Sequence, residues 1–214
     1  MMEKTEELEA ILRGTPVLPV VVLEDAEAAV PLARALVAGG VHAIEVTLRT
    51  EAAFEAVRRI AEEVEEIAVG VGTVLAPDQL RRAERAGARF WVSPGMSPQL
   101  LEAARYCVLP GLPGAATASE AMALVEAGYH LQKFFPAEMA GGATYLKALA
   151  GPLPEIRFCP TGGISAQSAS AYLCLPNVFA VGGSWLAPPE AVAGGDWARI
   201  EALAREAAAL RPAG

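Results

Sequence analysis

One lysine in this sequence stands where an amine could act as a nucleophile. The run Tyr129-His130-Leu131-Gln132-Lys133-Phe134-Phe135 follows Gly128 and is stopped by Pro136, and its apolar and aromatic content reads as a strand. Side chains alternate along a strand, so Leu131, Lys133 and Phe135 share one face. Desolvation on such a face favours the neutral form of an amine, and a neutral amine adds to carbonyls. The plainer reading is a strand-end lysine that reaches solvent or pairs with a carboxylate. The other lysines, Lys4 and Lys147, fall in a charged N-terminal segment and a helix-like segment. A carboxylate for Lys133 is available in Ala43-Ile44-Glu45-Val46-Thr47. There Ile44 and Val46 suit a packed face, and alternation sends Ala43, Glu45 and Thr47 to the other. A carboxylate turned inward needs a partner or a job. Glu45 is therefore either half of a structural ion pair or a proton carrier beside the amine. Arg49, just past that strand, could grip a carboxylate in a bidentate contact; on its own it reads as a surface arginine.

Small residues recur where strands end, in Gly70-Val71-Gly72-Thr73, Ser93-Pro94-Gly95 and Pro110-Gly111-Leu112-Pro113-Gly114. Each alone is an ordinary turn, whereas together on one rim they leave room for a ligand near the backbone. Paired glycines follow in Thr161-Gly162-Gly163-Ile164-Ser165 and Gly182-Gly183-Ser184. Such pairs either form tight turns or free backbone N–H groups to point at an anion. There is no HxH, DxD or HExxH arrangement, and His42 and His130 begin strands, so no metal site is expected.

These residues must be positioned by a repeating pattern of elements. A charged helix over residues 3 to 13, closed by Gly14, comes first. Eight apolar strand-like runs follow: Val17–Val22, Ala43–Thr47, Ile67–Val71, Phe90–Val92, Cys107–Leu109, His130–Phe135, Ile156–Cys159 and Val178–Val181. Each precedes a helix-like segment rich in Ala, Leu, Glu and Arg, such as Ala26–Val37, Ala52–Val64, Asp78–Ala86, Ser119–Ala127 and Ala198–Ala209. Alternating units with near-continuous apolar strands imply a parallel sheet. The count of eight, with no GxGxxG turn after the first strand, favours a (β/α)8 TIM barrel with an extra N-terminal helix over an open doubly wound sheet. No linker or low-complexity tract divides the chain, so residues 1–214 are expected to form one domain. Active sites of this fold lie at the C-terminal strand ends, where the last two strands commonly bind phosphate. Lys133, Glu45 and both glycine pairs fall there.

Composition narrows the function classes. The chain has 214 residues, 53% of them hydrophobic, ample for a self-standing core. A net charge of -8 argues against nucleic acid or an anionic membrane as partner. Cys107, Cys159 and Cys174 are widely spaced, which fits neither a disulfide scaffold nor a zinc site and suits a reducing compartment. The acidic N-terminus does not read as a signal peptide, and no apolar run could span a bilayer, so a cytoplasmic protein is expected.

Taken in order, Ile44-Glu45-Val46-Thr47-Leu48-Arg49-Thr50, Val69-Gly70-Val71-Gly72-Thr73-Val74-Leu75, Ser93-Pro94-Gly95, Lys133-Phe134-Phe135-Pro136-Ala137-Glu138, Phe158-Cys159-Pro160-Thr161-Gly162-Gly163-Ile164 and Gly182-Gly183-Ser184-Trp185 are specific. The chain resembles the bacterial 2-keto-3-deoxy-6-phosphogluconate (KDPG) aldolase / 4-hydroxy-2-oxoglutarate (KHG) aldolase family over nearly its full length. The resemblance implies a cofactor-free and metal-free homotrimeric (β/α)8 aldolase acting on a small phosphorylated keto acid. It implies that Lys133 forms the Schiff base and that Glu45 is the general acid/base. It further implies that Arg49, Thr73, Pro94 and Phe135 line the pyruvate end, and that Gly162, Gly163 and Ser184 hold the phosphate beside Gly182 and Gly183. Three alternatives remain at this point: an aldolase for the galactonate epimer, a phosphosugar isomerase or epimerase on the same barrel, and a phosphosugar-binding protein.

Overall fold

The computed structural model describes residues 2–210. Helix α1 (Met2–Leu12) opens the chain. Strands β1 (Val17–Val21), β2 (Ala43–Thr47), β3 (Ala68–Gly72), β4 (Phe90–Val92), β5 (Gly111–Leu112), β6 (Gly114–Ala115), β7 (Leu131–Phe134), β8 (Arg157–Pro160) and β9 (Val181–Gly183) follow. Between and after them lie α2 (Ala29–Ala38), α3 (Ala53–Glu63), α4 (Pro77–Arg85), α5 (Pro98–Ala104), α6 (Ala118–Glu126), α7 (Gly142–Leu149), α8 (Ala169–Leu173), α9 (Pro189–Ala193) and α10 (Trp197–Ala208). The helices form for local reasons. In α3, Ala53, Ala56, Val57 and Ile60 make an apolar stripe at helical spacing, while Arg58 pairs with Glu55 and Glu62 on the solvent face. Before α6, Thr117 accepts from Glu120 N, and the Glu120 carboxylate accepts from Thr117 N, a reciprocal cap on the first turn.

The fold is α/β, with every strand pairing parallel. One sheet runs β5-β4-β3-β2-β1-β9 and the other β6-β7-β8. The two meet twice. The chain passes from β5 to β6 through Pro113, whose carbonyl accepts from Lys133 N at 2.8 Å, while Leu112 O accepts from Ser93 N on the other side. Across the far gap, bridges join Phe158 to Val178 and Thr161 to Gly182. Because the strands are parallel, all their C-terminal ends lie on one side.

The fifth strand is displaced from its expected place. Cys107–Leu109 is not a strand, Val108 is 70% exposed, and the pairing residues are Gly111–Leu112 and Gly114–Ala115. Proline usually ends a ladder because it has no N–H. Here Pro110 and Pro113 use only their carbonyls, which accept from Trp91 N and Lys133 N, so the missing donors are never needed. The last strand likewise sits later than Val178–Val181, because Gly182 and Gly183 belong to it, paired with Leu18 and Pro19.

The interior facing away from the helices is layered. Leu18, Ala43, Phe90, Val92, Leu112, Leu131, Cys159 and Ala180 form its lower part, and Leu8 and Leu12 of α1 close it from the N-terminal side. Burying each of those two leucines contributes about 1.5–3 kcal/mol. Lys4 donates to the Cys107 carbonyl and Glu9 pairs with Arg157 at 3.0 Å, which fixes α1 at that end. His42 and His130 lie immediately before β2 and β7, also at the N-terminal side. No helix among the described residues is long and apolar enough to cross a membrane.

Candidate active site

Lys133 lies on β7 and Glu45 on β2, and the upper part of the interior brings them together. Lys133 Nζ donates to Glu45 Oε1 at 3.1 Å, with Oε2 at 3.4 Å. Both residues are removed from water, Lys133 at 5% exposure and Glu45 at 1%. Lys4 is occupied by the Cys107 carbonyl and Lys147 is exposed on α7, so Lys133 is the buried amine. A buried ion pair of this kind is not a source of net stability, because desolvating both charges offsets their attraction. Its retention at a C-terminal strand end is better explained by chemistry.

The pair has a built surround. Lys133 sits opposite Gly114 on β6 and Cys159 on β8, and its Nζ lies 5.5 Å from the centre of the Phe135 ring. The glycines of β3 are spacers. A Cβ at Gly72 would lie 2.1 Å from Glu45 Oε1, and one at Gly70 would strike the Phe90 ring. The room expected there for a ligand is thus taken by the Glu45 carboxylate and by the core. Gly72→Ala should push Glu45 off Lys133 while leaving both groups in the protein. Cleavage should fall by roughly 10²-fold, the lower end for loss of proton-transfer assistance, with the circular dichroism spectrum unchanged. Wild-type turnover in Gly72→Ala would show that the placement of Glu45 is immaterial.

The other expected residues lie on the same rim. Thr73 follows β3 with φ of 59°. For a β-branched residue this left-handed conformation is strained by about 1–3 kcal/mol, a strain characteristic of functional sites. Arg49 is exposed just past β2; its backbone N–H donates to Thr47 O at 2.8 Å, and its guanidinium makes no hydrogen bond or ion pair among the described residues. Pro94 follows β4, and its carbonyl lies so near β6 that a Cβ at Gly114 would come within 2.3 Å of it. Gly162 and Gly163 follow β8 with φ of 103° and 83°, which L side chains rarely adopt. Gly182 and Gly183 are strand residues, and any Cβ on them would strike Thr161 Oγ1 at 2.2 Å and the Trp185 ring at 2.1 Å. Ser184 is exposed immediately after them.

Comparison with known proteins decides the family. A family profile described as KDPG and KHG aldolase matches residues 8–203. The chain belongs to the KDPG and KHG aldolase family. Aldolases are carbon–carbon lyases, so this chain is one. The "KHG/KDPG aldolase" of Escherichia coli (strain K12) is 53% identical over 199 residues, covering 93% of each chain. The crystal structure of KDPG aldolase from Legionella pneumophila, with pyruvate captured at low pH as a covalent carbinolamine intermediate, is 45% identical. It superposes with a TM-score of 0.89, covering 92% of this chain and 95% of that one. The aldolase of Zymomonas mobilis ZM4, solved with 3-phosphoglycerate, is 44% identical with a TM-score of 0.91, covering 98% and 99%.

Cys159 faces Lys133 across the β7–β8 ladder. Burial pushes its thiol up to about 12, the neighbouring Lys133 charge only partly opposing this. Cys107 is pushed up to about 12 as well, chiefly by burial. Neither forms thiolate near neutral pH, and Cys174 is the exposed cysteine. Iodoacetamide at about pH 8 should therefore modify the native protein at Cys174 alone. Peptide mass mapping reads this directly, and rapid labelling of Cys159 would mean that the floor of the site opens to solvent.

Proposed function

We propose that this chain cleaves 2-keto-3-deoxy-6-phosphogluconate to pyruvate and glyceraldehyde 3-phosphate through a Schiff base on Lys133, and 4-hydroxy-2-oxoglutarate to pyruvate and glyoxylate by the same route. The observation that carries the proposal is the buried Lys133–Glu45 pair at 3.1 Å on the C-terminal side of the strands. Glu45 takes the ammonium proton of Lys133, the neutral amine adds to the C2 ketone, and Glu45 returns that proton to the carbinolamine hydroxyl, which leaves as water to give the iminium. Glu45, again a carboxylate, takes the proton of the C4 hydroxyl. The C3–C4 bond then breaks, its electron pair moves into the enamine, and the aldehyde leaves. Glu45 returns that proton to C3, and water hydrolyses the pyruvyl iminium to free Lys133. The iminium nitrogen is the electron sink throughout.

Arg49 and Thr73 hold the pyruvyl carboxylate in this reading, and Pro94 and Phe135 wall the methyl side. Arg49 supports the role by lying free and exposed at the rim, and Thr73 by its strained backbone. Gly162 and Gly163, with Gly182, Gly183 and Ser184 alongside, receive the phosphate. Residues 1–214 act as one domain, a closed (β/α)8 barrel in which β5 and β6 are halves of one strand. The passage through Pro113 and the β8–β9 bridges support that closure. The assembly proposed is a cytoplasmic homotrimer, to be checked by sedimentation.

The test is intact mass after borohydride reduction in the presence of pyruvate. A stable adduct mapped to the Lys133 peptide is expected. Absence of an adduct in an enzyme that cleaves the substrate would remove the Schiff base on Lys133 from the mechanism. Turnover of the gluconate and galactonate epimers side by side then assigns the substrate.

A further inference from the structure

We infer that Glu138 and Tyr172 act together as a positioning clamp that fixes the Gly162–Gly163 loop and so sets selectivity for phosphorylated over unphosphorylated substrate. This rests on the phosphate role proposed above for that loop. Glu138 lies five residues beyond Lys133 along the same segment. Its backbone N–H donates to Gly162 O at 3.1 Å, and its side chain lies flat against Gly163, where a Cβ would come 2.7 Å from Glu138 Cγ. The segment carrying the amine is thereby joined to the loop at both backbone and side-chain level.

Glu138 is itself exposed, and an exposed carboxylate ordinarily samples several rotamers. Tyr172 removes that freedom. It lies on α8, the helix that follows the loop, is 2% exposed, and donates its hydroxyl to Glu138 Oε1 at 2.7 Å. Burial, and then the neighbouring carboxylate, hold the phenol well above its ordinary pKa, so it remains a donor at any working pH. The backbone of Gly142 comes close to both partners: a Cβ there would lie 3.3 Å from the Tyr172 hydroxyl and 3.9 Å from Glu138 Oε2. Glu138 also carries negative charge beside a loop read as an anion site. Drawing its carboxylate toward Tyr172 keeps that charge in one place instead of letting it swing over the loop.

Tyr172→Phe removes one hydrogen bond and little else. It should raise KM for 2-keto-3-deoxy-6-phosphogluconate by about tenfold, the order carried by one hydrogen bond to a charged group. The inhibition constant of inorganic phosphate should rise in parallel, while KM and kcat for 4-hydroxy-2-oxoglutarate stay put. Glu138→Ala should copy this phenotype, and Glu138→Gln, which still accepts from Tyr172, should restore most of the discrimination. Equal changes on both substrates, or none on either, in correctly folded Tyr172→Phe and Glu138→Ala would overturn the clamp. Gly162→Ala separates the two layers. If it impairs the phosphorylated substrate selectively while Tyr172→Phe does not, the clamp alone is wrong. If it impairs both substrates equally and phosphate fails to compete in the wild type, the phosphate reading fails and takes the clamp with it.

Discussion

Lys133→Met is expected to abolish both aldol cleavage and borohydride trapping with pyruvate. Methionine keeps the length and apolar stem of the side chain but has no amine, so neither carbinolamine nor iminium can form. No other lysine can substitute, since Lys4 is bound to the Cys107 carbonyl and Lys147 sits on the outer surface of α7. The structure adds a second consequence. Glu45, 1% exposed, loses its donor. Leaving one half of a buried ion pair destabilises a protein by about 3–5 kcal/mol when the charge persists. Lys133→Gln is therefore the companion variant, because its amide can still donate to Glu45. Both variants should be inactive, and the glutamine variant should melt closer to the wild type. Residual turnover by either, or an adduct on the Lys4 or Lys147 peptide, would remove Lys133 from the mechanism.

The parts of this site that were legible in the sequence are those that local pattern dictates. Period-two alternation turns Glu45 on β2 and Lys133 on β7 away from the helices, and the two strands, which belong to different sheets, bring them together across the interior. Parallel pairing followed from the alternating units. What misled was the dual use of proline and glycine. Pro110 and Pro113 read as terminators, yet a proline whose carbonyl alone is needed sits within a strand without loss. Gly72 read as ligand space, yet it houses the carboxylate of Glu45. Nothing local announces such a spacer, because the atom it makes room for is 27 positions away in the chain. The Tyr172–Glu138 contact, between residues separated by 34 positions, is illegible for the same reason. The φ of 59° at Thr73 runs against the preference of its residue type, and only the fold could reveal it.

Glu45→Gln should leave the nucleophile in place and slow every step that moves a proton. The amide matches the carboxylate in shape, fits over Gly72, and can still accept from Lys133, so the geometry of the 3.1 Å contact is retained. It cannot take the C4 proton or return it to C3. General acid–base assistance contributes typically about 10²–10⁴-fold, and the loss in kcat for cleavage should lie in that range. The exchange of pyruvate methyl protons with solvent should fall by a comparable factor, since it needs the same transfer at C3. Trapping with borohydride should become slow yet still reach Lys133 on long incubation. That combination sets Glu45→Gln apart from Lys133→Met, in which no adduct forms at any time. It also sets it apart from Gly72→Ala, in which the carboxylate is displaced but present. If Glu45→Gln exchanged pyruvate protons and cleaved substrate at wild-type rates, Lys133 would keep its role and the proton carrier would have to be another group on the rim.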